Sequence, residues 1–165
     1  PCEVCAQNVA DTLTVYVSPY LRAKQTADIL FPGAKQVEIA EFAECRFGDF
    51  EYKNYAELNG NPDYQRFIDS GGTSAFPGGE SRAEFTERVM RGFEKLLADV
   101  EESQPYTIVV VAHGGTIMAL MDQLSEPHKD YFDWQVKPGE GVEGILRWRN
   151  NDTGTNIYHY NCMSA

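Results

Sequence analysis

The segment TIVVVAHGG, residues 107–115, constrains the fold more than any other stretch of the chain. The apolar, β-branched run over 106–112 predicts a strand buried on both faces of a parallel sheet. It ends on His113, two glycines follow, and Gly114 to Leu124 reads as the next helix. A histidine leaving a buried strand into a helix N-terminus sits where backbone N–H groups and the helix dipole favour an anion. Spacing alone leaves a second reading open, in which His113 is a strand-end histidine satisfied by local hydrogen bonds.

The rest of the chain alternates in the same manner. TVYVS (14–18) predicts a short strand. Ser18 and Pro19 stand as N-cap and first helical residue of the helix after it. KQVEIA (35–40) predicts a second strand, and Asn61-Pro62 opens a short helix carrying Tyr64, Phe67 and Ile68. Ser81 and Glu84 have capping-box spacing. Phe85, Val89, Phe93, Leu96, Leu97 and Val100 then mark one face of a long amphipathic helix. VEGILRWR and TNIYHYN, joined by NNDTG, predict a hairpin. Such alternation describes a layered α/β domain, one unit spanning 1–165, whose ligands collect at the carboxyl ends of the strands. Two segments place polar groups there: Ser18 to Arg22 and His113 to Gly115.

A net charge of −11 without a basic run argues against nucleic acid as a partner. No segment has the roughly 18–20 continuous apolar residues of a membrane span, so no membrane partner is expected. Of the four cysteines, Cys2 and Cys5 fall in a C-x-x-C. With Val9 and Leu13 they also form the apolar stripe of a short first helix, the simpler reading. Reduced thiols and a cytoplasmic setting are the expectation. No cysteine or histidine pair stands at zinc-ligand spacing, and none joins His113 to His128 or His159.

Arg22 falls in the first turn of its helix, where the dipole disfavours a cation unless an anion is to be bound. Glu44 lies in AECRFGDFEY, where nearby Phe47 and Phe50 would desolvate a carboxyl and raise its pKa toward that of a general acid. The aromatic stretch 47–76 reads as core packing for most of its rings, or as a cap selecting a bulky alcohol. An esterase reading of His-Gly-Gly lacks its G-x-S-x-G elbow, and no G-x-G-x-x-G is present.

Taken together, SPYLRAKQTA (18–27), AECRFGDFE (43–51), PGGES (77–81) and VVVAHGG (109–115) resemble, in order, the motifs of the histidine phosphatase superfamily, the phosphoglycerate mutase-like group. The FGDFE and GGES context is most similar to its α-ribazole phosphatase-like branch. The resemblance implies a layered sheet with helices on both faces. It implies that Arg22 and His113 bind the transferred phosphoryl group, with Gly114 adding its backbone N–H, and that Glu44 protonates the leaving oxygen. Glu80 and Ser81 would brace the site from behind. It further implies hydrolysis of a small phosphorylated substrate through a phosphohistidine, with no metal or other cofactor. The alternatives are phosphoglycerate mutase-type transfer and a non-catalytic phosphate-binding or regulatory domain.

One departure is plain. The family's nucleophilic histidine lies in an R-H-G motif on a first, central strand, and this chain contains no R-H-G. The expectation is a domain that is incomplete at its N-terminus and lacks that strand beside 106–112. A homodimer or strand exchange would then cover the gap.

Overall fold

The computed structural model describes residues 13–103, 107–147 and, for the backbone alone, 156–164. The predicted first helix with Cys2, Cys5 and Val9, and the NNDTG turn, lie outside the described residues.

The elements in chain order are β1 (Thr14–Val17), α1 (Leu21–Leu30), β2 (Lys35–Glu38), α2 (Tyr55–Leu58), α3 (Pro62–Asp69), α4 (Arg82–Ser103), β3 (Val109–Val111), α5 (Gly114–Leu124), β4 (Ser125–Glu126), β5 (Glu140–Arg147) and β6 (Asn156–Ser164). β2, β1 and β3 form a parallel sheet in that order, with Val17 beside Glu38 on one side and Val111 on the other. The two-residue period of β1 divides the molecule into layers. Tyr16 points toward α4 and α5, whereas Val15 and Val17 pack with Ala27 of α1 on the other face. All three β1 side chains are essentially solvent-free. The expected layered sheet with helices on both faces is therefore what folds.

α4 supplies most of the larger core. Phe85, Val89, Phe93, Leu96 and Val100 recur every three or four residues and are all buried. Each large side chain buried in this way contributes roughly 1.5–3 kcal/mol. Leu97 is only partly buried at the edge of that cluster. Gly92 belongs to the same stripe because the loop before Glu44 crosses there: a Cβ on it would lie 2.7 Å from Cβ of Glu41. Ser81 and Glu84 form the expected reciprocal cap.

Two local expectations need correction. α1 begins at Leu21, not at Pro19, and Ser18 is not its N-cap. Ser18 still belongs to the sheet, its N–H donating to Val111 O at 3.1 Å, so its hydroxyl is free to face another partner. Of the expected strand 106–112, residues 109–111 form β3 and Tyr106 lies outside the described residues; the three valines are half-buried, Val110 against the larger core and Val109 and Val111 against the smaller one. Its position explains this: among the described residues β3 pairs only with β1.

A second sheet has the order β4-β6-β5. β5 and β6 run antiparallel, as the predicted hairpin requires, with a register break between Glu143 and Ile145. Among the described residues no ladder joins β3 to this sheet. Even-numbered residues of β1 face β3, since Ser18 N–H reaches Val111 O, so in a parallel ladder the N–H and C=O of Val110 point to the open edge. The expected result of amide exchange in a monomer is rapid loss at Val110 beside slow loss at Tyr16. Equal protection of the two would mean that another strand covers the edge.

Candidate active site

Adjacent parallel strands with matched register bring their carboxyl ends together, and here those ends carry Ser18 and His113. His113 occupies the N-cap position of α5 in extended conformation, but its ring makes no cap bond. The ring turns back across the sheet instead. Its Nε2 lies 2.7 Å from Ser18 Oγ and its Nδ1 lies 3.2 Å from Nη2 of Arg22. The ring is buried at 6% exposure. These partners are not sequence neighbours: they come from the end of β1 and from α1, more than ninety positions away.

Arg22 is the second residue of α1, as its place in the sequence suggested. Its guanidinium lies 4.7 Å from the centre of the Tyr20 ring, and that ring stands 5.2 Å from His113, tilted by 60°. Tyr20 thus wedges the cation and the imidazole into one unit. Burial, reinforced by the Arg22 charge, holds His113 down to about 4, so the imidazole is neutral at pH 7.

Glu44 enters from the loop after β2. A Cβ on Gly115 would lie 2.6 Å from Glu44 Oε1 and 3.3 Å from the Phe85 ring, so only glycine lets the carboxyl lie over the start of α5. Its Oε1 accepts from the Cys45 N–H at 3.0 Å. Burial raises the Glu44 pKa, and this outweighs the Cys45 bond and the charges of Arg22 and Arg88, which pull the other way. Phe47 and Phe50, invoked from sequence to desolvate this carboxyl, both pack with Phe76, at 5.1 and 5.9 Å between ring centres. Gly114 is the first residue of α5, and no atom stands within 4 Å of where its Cβ would be. Its N–H is one of the donors a helix start leaves without an intrahelical partner.

The loop that carries Glu44 is held by a residue that sequence reasoning did not single out. Arg88 Nη1 donates to the carbonyls of Glu41 and Ala43, and Nη2 donates to that of Glu44. The same guanidinium makes a bidentate pair with Glu80 at 2.8 Å per contact. Glu80 is 2% exposed and also accepts from the Arg46 N–H at 3.1 Å. Glu80 therefore braces the loop from behind, through Arg88. The Ser81 hydroxyl is taken up by Glu84 in the α4 cap and faces that carboxylate. Phe42, two residues before Glu44, is pinned to α5 by the Thr116 hydroxyl on its carbonyl.

Chemically, the arrangement offers a cation, an imidazole nitrogen and a helix N-terminus around one point, with a half-buried carboxyl nearby. Among the described residues no group of three or more histidines, cysteines, aspartates or glutamates is placed to hold a metal ion. Nor is any described helix long and apolar enough to cross a membrane.

Comparison with known proteins gives a consistent result. The phosphatase PhoE of Bacillus subtilis, itself uncharacterized, is 32% identical over 114 residues, covering 67% of this chain and 52% of that protein. Phosphoglycerate mutase from Thermus thermophilus superposes with a TM-score of 0.57 at 28% identity, over 79% of this chain and 66% of the other. The α-ribazole phosphatase from Shigella flexneri gives 0.56 at 26% identity, over 67% and 55%. The chain thus spans about half the length of the PhoE relative it matches. The family model for the histidine phosphatase superfamily, branch 1, matches residues 4–156. With Arg22, Glu44 and His113 gathered at the strand ends inside that match, the chain belongs to the histidine phosphatase superfamily.

Proposed function

We propose that this domain binds the phosphoryl group of a small phosphomonoester between Arg22 and His113 and protonates its leaving oxygen from Glu44. The observation that carries this reading is the 3.2 Å convergence of the Arg22 guanidinium and the His113 imidazole at the N-terminus of α5. Two oxygens of a phosphoryl group fit such a pair of side chains, and the Gly114 N–H suits a third. Phosphoryl transfer relies chiefly on positioned charge and donors, and these residues supply them. Glu44 retains its proton to higher pH than an ordinary carboxylate, as a general acid requires.

The reaction is hydrolysis of the ester without a metal. The attacking group would be the family's R-H-G histidine, which this chain does not contain. This chain is therefore assigned phosphoryl binding and leaving-group protonation, and the phosphohistidine step belongs to a polypeptide that also carries that motif. Likeness to the Shigella flexneri α-ribazole phosphatase supports a bulky alcohol as the leaving group. A cytoplasmic setting suits such a substrate and is proposed with it.

Titration of the chain with inorganic phosphate tests the binding assignment. Arg22→Ala is expected to weaken phosphate binding roughly 10- to 150-fold, the worth of one or two charge-assisted contacts. Unchanged affinity would remove Arg22 from the site. Aryl phosphate turnover by the chain itself is expected to be absent. Turnover abolished by His113→Ala would make His113 the nucleophile and overturn the assignment of roles.

A further inference from the structure

The hydrogen bonds around His113 determine which of its nitrogens carries the proton. A guanidinium has donors and no acceptor, so the contact from Arg22 Nη2 requires a lone pair on Nδ1. The single proton of the neutral ring is then on Nε2, aimed at Ser18 Oγ 2.7 Å away. Ser18 is fully buried, and its oxygen also accepts the Tyr20 N–H at 3.3 Å. A serine set aside for a helix cap would not be available for this. Because α1 starts three residues later, the hydroxyl is committed to the ring.

This tautomer presents the wrong face to an anion. A phosphoryl oxygen entering beside Arg22 would meet the Nδ1 lone pair, and two electron pairs repel. We propose that Ser18 is a positioning residue which, by accepting a hydrogen bond from Nε2–H, fixes the Nδ1 lone-pair tautomer, so that a phosphoryl group enters this site together with one proton. The step balances simply. Arg22 leaves Nδ1 for a phosphoryl oxygen. Nδ1 takes one proton, from solvent when the ligand is a dianion or from the P–OH of a monoanion. The resulting imidazolium donates through Nδ1 to the ligand and through Nε2 to Ser18. The low resting pKa of His113 fits this, because the ring gains its proton only when a ligand dianion is there to stabilise it.

The inference rests on the reading of the site as a phosphoryl site, and the two fail differently. The charged and titratable groups beside His113 are Arg22 from α1 and Tyr20 before it, and Glu44 lies over Gly115, two residues further on. Glu44 titrates as well, so affinity is best measured in Glu44→Gln. With phenyl phosphate as ligand, Kd is expected to rise about tenfold per pH unit above the second ionisation of the ester, near pH 6. Below that point, down to about pH 5, it should be flat.

Ser18→Ala removes the acceptor at Nε2 and frees the ring to bind the dianion as a neutral Nδ1–H donor, so the slope should flatten. Ser18→Thr should keep it. Nitrogen-15 spectra of His113 in the unaltered chain give a reading that needs no variant: Nε2–H alone when free, both nitrogens protonated with phosphate bound. A ring that is Nδ1–H when free, or that binds phosphate without gaining a proton, would overturn the role of Ser18 and leave the phosphoryl site intact. Signals from His113 that do not respond to phosphate at all would overturn the site and this inference with it.

Discussion

Glu80→Ala is expected to lower the unfolding free energy by about 3–5 kcal/mol, because it leaves the Arg88 guanidinium inside the protein without its counter-charge. The Arg88 side chain is 16% exposed and that of Glu80 is 3% exposed, so neither charge can turn to water without the loop moving. In a domain of this size the loss corresponds to a fall of roughly 6–20 °C in Tm. The exposed arm of the cluster, from Arg46, contributes little by comparison. Burial by itself pushes the Glu80 carboxyl up, but the Arg88 and Arg46 hydrogen bonds and both charges bring it below its ordinary value. A depressed folded pKa means that the stabilisation is present above the unfolded pKa and is lost as pH falls through the folded one. The gap in Tm between the parent and Glu80→Ala should therefore be widest near pH 7 and close in acid. A gap below about 2–4 °C at neutral pH, equivalent to about 1 kcal/mol, or one that does not change with pH, would show that the pair does not hold the loop.

The same cluster shows where sequence reasoning reaches its limit. Arg22 and His113 are legible because strand-helix alternation fixes where strand ends lie, and each residue sits at such an end. Glu44 is legible from the composition of its loop, and burial does raise its pKa as that composition suggests. Arg88 does not stand out because a charged residue on a long helix is normally solvated. Its signal is position: it falls between Phe85 and Val89, at the border of the apolar stripe, where a long side chain passes under a neighbouring loop. Gly92 carries a similar signal, since a glycine within a helix costs about 1 kcal/mol and calls for a packing reason. Ser18 misleads for a more basic reason. Ser-Pro before a helix satisfies the N-cap rule, but the rule describes local competition for the hydroxyl. Here the partner is His113, which only the strand register brings within reach. The half-burial of β3 is likewise beyond pattern. Its valines match a doubly covered strand, and among the described residues β3 pairs with β1 alone, at the edge where the resemblance places the R-H-G strand.

The second large effect belongs to Glu44, and it separates rate from binding. In a polypeptide that joins this segment to an R-H-G histidine, Glu44→Gln is expected to slow hydrolysis of an alkyl phosphate about 10²–10⁴-fold, the usual contribution of a positioned general acid. Phosphate affinity near neutral pH should change far less, since glutamine keeps the shape and the Cys45 contact. Leaving groups discriminate further. An aryl phosphate with an acidic phenol departs without help, so its loss should be much smaller than that of an alkyl ester. The rate in the parent should also fall as pH rises through the Glu44 pKa, which burial has raised, and that limb should vanish in the glutamine variant. Stability moves the opposite way. A folded pKa above the unfolded one means that the ionised carboxylate is held at a cost above both values, and that the cost disappears below the unfolded pKa. Glu44→Gln should therefore raise Tm slightly at pH 8 and leave it unchanged at pH 3. A variant that loses rate and phosphate affinity in equal measure would instead make Glu44 a binding group. One that loses both rate and stability at pH 8 would make it a structural one. In either case the desolvated carboxyl over Gly115 would not be the acid of this site.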